Sequence, residues 1–174
     1  LFGLFVVGVV ATAAAYFYIA PDLPPIDKLR DVELQVPLRI YTADGALIAE
    51  YGEKRRSPVE YDEVPEQVIQ GFLAAEDDRF FEHPGVDYQG LTRAVLELLL
   101  TGEKRSGGST ITMQVARNFF LTRERTYTRK IREIFLALKI ERELTKKEIL
   151  ELYLNKIYLG HRAYGVAAAA KGYY

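Results

Sequence analysis

Residues 127–158 read YTRKIREIFLALKIERELTKKEILELYLNKIY, and their periodicity decides the fold. Ile131, Ile134, Phe135 and Leu138 recur at helical spacing and make one apolar stripe. Leu136 and Ile140 define a second stripe on the opposite side, which they share with Arg129 and Glu133. A helix apolar on two faces is sandwiched between other elements. Arg129 and Glu133, at i and i+4, are then partly buried, where an unpaired charge is costly. On the residues alone they read equally well as a structural ion pair and as a functional one. Thr145-Lys-Lys-Glu148 is a capping box that opens a further helix through Tyr158.

The pattern is helical on both sides of this stretch. It begins near Asp62, with Pro65 suited to a first turn and Val64, Val68, Ile69, Phe72 and Leu73 on one face. A second helix is expected from Asp87 to Thr101, stopped by Gly102, and a third after Ser109 as N-cap. Gly160 ends the helix of the capping box, and YGVAAAAKGYY begins another. Ahead of the helices, LRIYTADGALIAEY (residues 38–51) reads as a hairpin turning at Asp44-Gly45. PDLPP (residues 21–25) favours extended backbone. The expected class is mainly α, with a short β-hairpin ahead of the helical part.

The 174 residues carry a net charge of −1 and no cysteine. Disulfide frameworks and thiolate chemistry are therefore excluded. Leu1 to Ala20 contains no charged residue, and a helix of that length rises about 30 Å, the thickness of a bilayer core. It reads as a transmembrane anchor, with Tyr16, Phe17 and Tyr18 at the aromatic belt. Four acids between Asp22 and Glu33, against Lys28 and Arg30, favour the non-cytoplasmic side for the chain beyond the anchor. The expected organisation is an anchor over 1–20, linker and hairpin over 21–61, and a helical domain over 62–174.

LAAEDDRFFEHPGVD (residues 73–87) concentrates charge at the end of the first apolar stripe. Glu76 lies four residues after Phe72, so a continuing helix places it at the stripe's end, desolvated and suited to proton transfer. The alternatives are an ion pair with Arg79 or a helix-end carboxylate bound to backbone N–H groups. His83 and Asp87 suggest a metal site only superficially, since Pro84-Gly85 breaks the helix that would align them. A histidine holding a turn is the better reading. GEKRSGGST, from Gly102, mimics a P-loop but has Gly108 where the phosphate-binding lysine is required. Between Arg117 and Arg132, six cations face one acid, Glu124. In a nearly neutral chain such an excess points to an anionic ligand or membrane surface.

Together these stretches resemble the peptidoglycan glycosyltransferase domain of bifunctional class A penicillin-binding proteins (glycosyltransferase family 51). EDDRFFEHPGVD resembles its first motif, GGSTITMQVARN its second, RKIRE its third and ILELYLNKIYLG its fourth. AAAAKGYY looks like the opening of a fifth, cut off at Tyr174, so the C-terminal part of the domain is expected to be missing. The resemblance implies a lysozyme-like helical fold and polymerisation of lipid II into glycan strands, with inversion and release of undecaprenyl pyrophosphate. It implies Glu76 as general base and Glu133 as second carboxylate. Asp77, Ser109, Thr110, Gln114, Arg117, Arg125, Arg129, Lys130 and Arg132 would bind substrate, and Phe80, His83, Gly85 and Asn155 would shape the motifs. Ser106 and Met113 depart from the family, which often has glutamine there, and at Met113 the departure removes an amide from beside the donor site.

The resemblance implies no resident cofactor and leaves open a divalent cation, Mg or Mn, accompanying the pyrophosphate. The implied partners are lipid II, the nascent glycan, the membrane and other cell-wall synthesis proteins, with no nucleic acid. The implied location is the bacterial cytoplasmic (inner) membrane, single-pass, with the catalytic domain outside. Two rivals remain open: a lytic enzyme acting on the same glycan, and a non-catalytic membrane-anchored interaction module.

Overall fold

The computed structural model describes residues 3, 10, 14, 17–29, 37–52, 55–102, 108–122, 124 and 126–173. The anchor expected over 1–20 lies largely outside them. Among the described residues no helix is long and apolar enough to cross a membrane. PDLPP is less extended than expected: Pro21 sits in a 3-10 turn, Ala20–Asp22, because its fixed φ suits the first turn of a helix. A second such turn, Ile26–Leu29, buries Ile26 and Leu29 in the main core.

The hairpin forms as expected from β1 (Leu38–Tyr41) and β2 (Leu47–Tyr51), antiparallel, with a bulge between Ile40 and Tyr41. Thr42 closes its loop, donating N–H to the Ala46 carbonyl at 2.8 Å. Among the described residues six helices come after it: α1 (Glu66–Glu76), α2 (Tyr88–Thr101), α3 (Ile111–Phe120), α4 (Tyr127–Glu143), α5 (Lys146–Lys156) and α6 (Val166–Tyr173).

Several boundaries differ from expectation for local reasons. Pro65 is the N-cap of α1, one position before the first turn, and Val68 faces solvent. Thr110, not Ser109, caps α3, accepting from the Met113 N–H at 3.2 Å. The capping box at Thr145 and Glu148 is formed. However, α5 ends at Lys156, because the chain then turns extended and Tyr158 bridges to Tyr164. That pairing extends a two-residue parallel ladder of β3 (Arg55–Arg56) with β4 (Ala163–Tyr164), a feature with no sequence signal.

The core lies where α3 packs against α4 and α5. Ile111, Val115, Leu136, Ile140, Ile149, Leu150 and Leu154 are wholly buried there, each contributing about 1.5–3 kcal/mol of transfer free energy. The two stripes of α4 are therefore unequal. Leu136 and Ile140 face the main core, while Ile134 and Leu138 pack on a small cluster of Val86, Met113 and Ala137, and Ile131 is 37% exposed.

Asn155 fastens the linker to this core. Its Oδ1 accepts from the Val59 N–H at 2.9 Å and its Nδ2 donates to the Val59 carbonyl at 2.8 Å, as a paired strand would. Glu151 accepts from the Tyr61 N–H at 2.8 Å one turn earlier. Gly165 makes the crossing to α6 possible: at φ +89°, a Cβ would stand 3.0 Å from the Asn155 carbonyl oxygen.

Candidate active site

The site is assembled where α1 ends. The helix stops at Glu76, and Asp77 leaves it at φ −164°, ψ 76°. This break inverts the expected roles of two adjacent carboxylates. Asp77 is the buried one, 7% exposed, and Glu76 is solvent-exposed, so the desolvation expected for Glu76 is absent. The physical reason is that the helical stripe ends with the helix, and the next residue turns inward instead.

The Asp77 carboxylate is fully engaged. His83 Nε2 lies 2.9 and 3.0 Å from its two oxygens, and the Ile111 N–H donates to Oδ2 at 2.9 Å. Gly85 N–H donates to His83 Nδ1 at 3.1 Å, which fixes the tautomer: the proton is on Nε2 and is given to Asp77. Thr110 Oγ1 donates to the Gly85 carbonyl at 2.6 Å. Gly85 itself is at φ +93° and meets α4 so closely that a Cβ would be 2.9 Å from the Ala137 carbonyl oxygen. Phe80 fills the space beneath, wholly buried, with the Lys146 ammonium 4.4 Å from its ring centroid. Asp77, expected to touch substrate, thus joins the end of α1 to the start of α3, with His83, Gly85 and Phe80 in the same clamp.

Glu76 faces a cavity of about 210 Å³ lined also by Asp78, Asp87, Arg93 and Ser109. Gln114 Nε2 donates to Glu76 Oε2 at 2.7 Å, and Arg117 Nη2 approaches Gln114 Oε1 at 3.5 Å. The carboxylate is therefore connected to a guanidinium through one amide. Arg79, expected beside Glu76, instead binds Glu82 at 2.9 Å, Gln89 at 2.8 Å and Asp87 at 3.3 Å. Asp87 opens α2, accepting from the Gln89 N–H at 3.2 Å, and is not aligned with His83 for metal binding.

Opposite Glu76, Ser109 accepts from Lys130 Nζ at 2.6 Å. Lys130 also reaches Glu133 Oε1 at 3.0 Å, and Arg129 Nη1 meets Glu133 Oε2 at 2.5 Å. Glu133 is 0% exposed, so its charge is compensated at both oxygens by cations that reach toward solvent. Arg132 is part-buried on the same turn of α4. Arg125 and Ser106 lie outside the described residues. Met113 is buried against Val86 and Ala137, so the amide missing there would not have faced the cavity. Asn155 stands with the linker, not with these groups. Among the described residues no cluster of three or more His, Asp or Glu side chains fits a metal ion.

Chemically, Glu76 can accept a proton at a cavity whose other charged lining is mainly acidic, Asp78, Asp87 and Glu97 beside Arg93, while Lys130 and Arg117 stand outside that lining and connect to it through Ser109 and Gln114. A proton acceptor with cations held one side chain away suits general-base chemistry next to a bound anion. The family model described as Transglycosylase matches residues 44–174, and the chain belongs to that family. It is similar to Penicillin-binding protein 1A of Pseudomonas aeruginosa, 57% identical over 93% of this chain and 20% of that protein. Its identity to Penicillin-binding protein 1A of Escherichia coli is 60%, over 91% of this chain and 19% of that one. The chain thus spans about a fifth of the length of the curated relatives it matches. A crystal structure of Penicillin-Binding Protein 1A from Haemophilus influenzae is 31% identical over 80% of this chain and 11% of that one, with a TM-score of 0.28.

Proposed function

We propose that the protein is a peptidoglycan glycosyltransferase that polymerises lipid II into glycan strands and releases undecaprenyl pyrophosphate. The observation that carries this reading is the Glu76–Gln114–Arg117 chain, a carboxylate at the cavity mouth coupled through one amide to a guanidinium. Glu76 takes the proton of the acceptor sugar hydroxyl as its oxygen attacks the anomeric carbon of the growing strand. The bond from that carbon to the pyrophosphate oxygen breaks, with inversion, and the electron pair leaves on the pyrophosphate. Arg117 and Lys130 stabilise the charge that develops there, with Arg129 and Arg132 on the same helix as Lys130, and Arg125 assigned to this role by the family resemblance alone. Glu133 acts through the cations it holds, since both its oxygens are occupied.

Exposure of Glu76 suits this role. A base must be reachable by a bulky acceptor, and here the Gln114 amide fixes the carboxylate's orientation in place of burial. The fold reading is a lysozyme-like helical domain, supported by the helical packing that carries Glu76, Gln114 and Glu133. A lipid-borne substrate is reached from a bilayer surface, and Leu96, Leu99 and Leu100 of α2 are exposed on the helix that borders the cavity. The uncharged stretch 1–20 serves as the anchor, with the domain on the outer side of the cytoplasmic membrane. Other cell-wall synthesis proteins are its expected neighbours.

The test is turnover of lipid II and, separately, of finished glycan by the full-length chain and by Glu76→Gln. Polymerisation of lipid II by the parent and a loss of at least about 100-fold in the variant are expected. A variant as fast as the parent, or consumption of finished glycan alone, would overturn the reading.

A further inference from the structure

Tyr153 is wholly buried on α5, yet among the described residues no group donates to its hydroxyl or accepts from it. Packing does not explain the oxygen. Leu150 and Leu154 beside it are equally buried, and Phe72 meets its ring edge-on at 5.9 Å between centroids, contacts that a phenylalanine would make as well. A buried hydroxyl without a partner costs free energy, so its presence calls for a partner acquired in another state.

Its neighbours indicate which. Phe72 is one helical turn before Glu76 on α1, so the ring lies under the turn that carries the proposed base. Arg117 is on α3, against which α5 packs. Burial pushes ionisation of the Tyr153 hydroxyl up, the charge of Glu76 adds to this, and Arg117 opposes it. Its ring thus packs beside the turn of Glu76 and its helix packs on the helix of Gln114 and Arg117, and as a neutral group the hydroxyl has one proton to give and lone pairs to receive.

We infer that Tyr153 is a positioning residue whose hydroxyl, in the substrate complex, donates to the Glu76 carboxylate and accepts from the Arg117 guanidinium. Hydrogen bonds that are long in a free enzyme tighten in the Michaelis complex. Tyr153 then fixes the base relative to the cationic wall from below, as Gln114 does from the side. The inference rests on the glycosyltransferase reading.

The experiment is Tyr153→Phe in the full-length chain, alone and combined with Glu76→Gln, assayed on lipid II alongside thermal unfolding. The single variant is expected to lose about tenfold in kcat with KM within about twofold and no drop in melting temperature. Added to Glu76→Gln, it is expected to change kcat by less than about twofold, because it acts through the group already removed. Parent-like kcat in Tyr153→Phe, a lowered melting temperature that accounts for the loss, or an equal further loss on the Glu76→Gln background would each overturn the inference. Failure of the parent itself to polymerise lipid II would sink the glycosyltransferase reading and this inference with it.

Discussion

His83 Nε2 lies 2.9 Å from Asp77 Oδ1 with both side chains buried, and Asp77 in turn receives the first N–H of α3. One carboxylate thus closes the end of the helix bearing Glu76 and the start of the helix bearing Gln114 and Arg117. The spacing between the proposed base and the proposed anion wall depends on it.

Asp77→Ala leaves two buried donors, the His83 Nε2–H and the Ile111 N–H, without an acceptor. The expected cost is roughly 3 kcal/mol of folding stability, read as a lowered urea midpoint with an unchanged m-value. An unchanged midpoint would mean that the clamp does not hold these helices together.

Glu133 has no solvent to fall back on. Arg129→Ala removes the partner at Oε2 and leaves Lys130 alone to compensate a wholly buried charge. Breaking such a pair from one side costs about 3–5 kcal/mol. Arg129→Ala is therefore expected to destabilise far more than Glu124→Ala, a change at an exposed residue, in paired denaturation curves. Comparable losses would show that Glu133 is compensated otherwise.

Asp87 supplies a pH dependence. Burial pushes its carboxyl up, but the Gly90 N–H, the Arg79 guanidinium and the Gln89 N–H outweigh it and hold the group below the usual carboxylate range. A folded-state value below the unfolded one, about 3.9, gives stability that is complete above the unfolded value and is lost as pH falls through the folded one. Melting temperatures measured from pH 6 to pH 2.5 are expected to fall less steeply for Asp87→Asn than for the parent. Parallel slopes would exclude this contribution.

Much of this architecture was legible because helices announce themselves by local rules. The stripe over Ile131 to Ile140 and the Thr145–Glu148 box are short-range patterns, and α4 and α5 form where they predict, although Ile131 stays exposed and α5 stops at Lys156. The ladder of Arg55–Arg56 with Ala163–Tyr164 was not legible, since two-residue strands have no period and their pairing is long-range. At the site, periodicity carries Glu76 to the last residue of α1 but does not set the burial of a helix end. Glu76 and Asp77 are chemically alike, and only the backbone break between them decides which is buried. Arg79 likewise had several acids within reach, and sequence distance could not rank them. Tyr153 had no signal at all, because on an apolar face a tyrosine reads as core.

Gln114 is the group on which the link between base and cations depends, and its variants separate geometry from charge. Gln114→Ala removes the donor at 2.7 Å from Glu76 and the acceptor facing Arg117. The residue is only half-buried, so melting is expected to change little, while kcat on lipid II falls about tenfold as the carboxylate gains freedom. Gln114→Glu keeps the shape but sets a second carboxylate against Glu76, and like charges at that separation disfavour the ionised base. Its loss is expected to exceed that of the alanine variant even though it could still bind Arg117. If instead the glutamate variant were the more active of the two, contact with Arg117 would matter more than support of Glu76, and the amide would belong to the anion wall, not to the base.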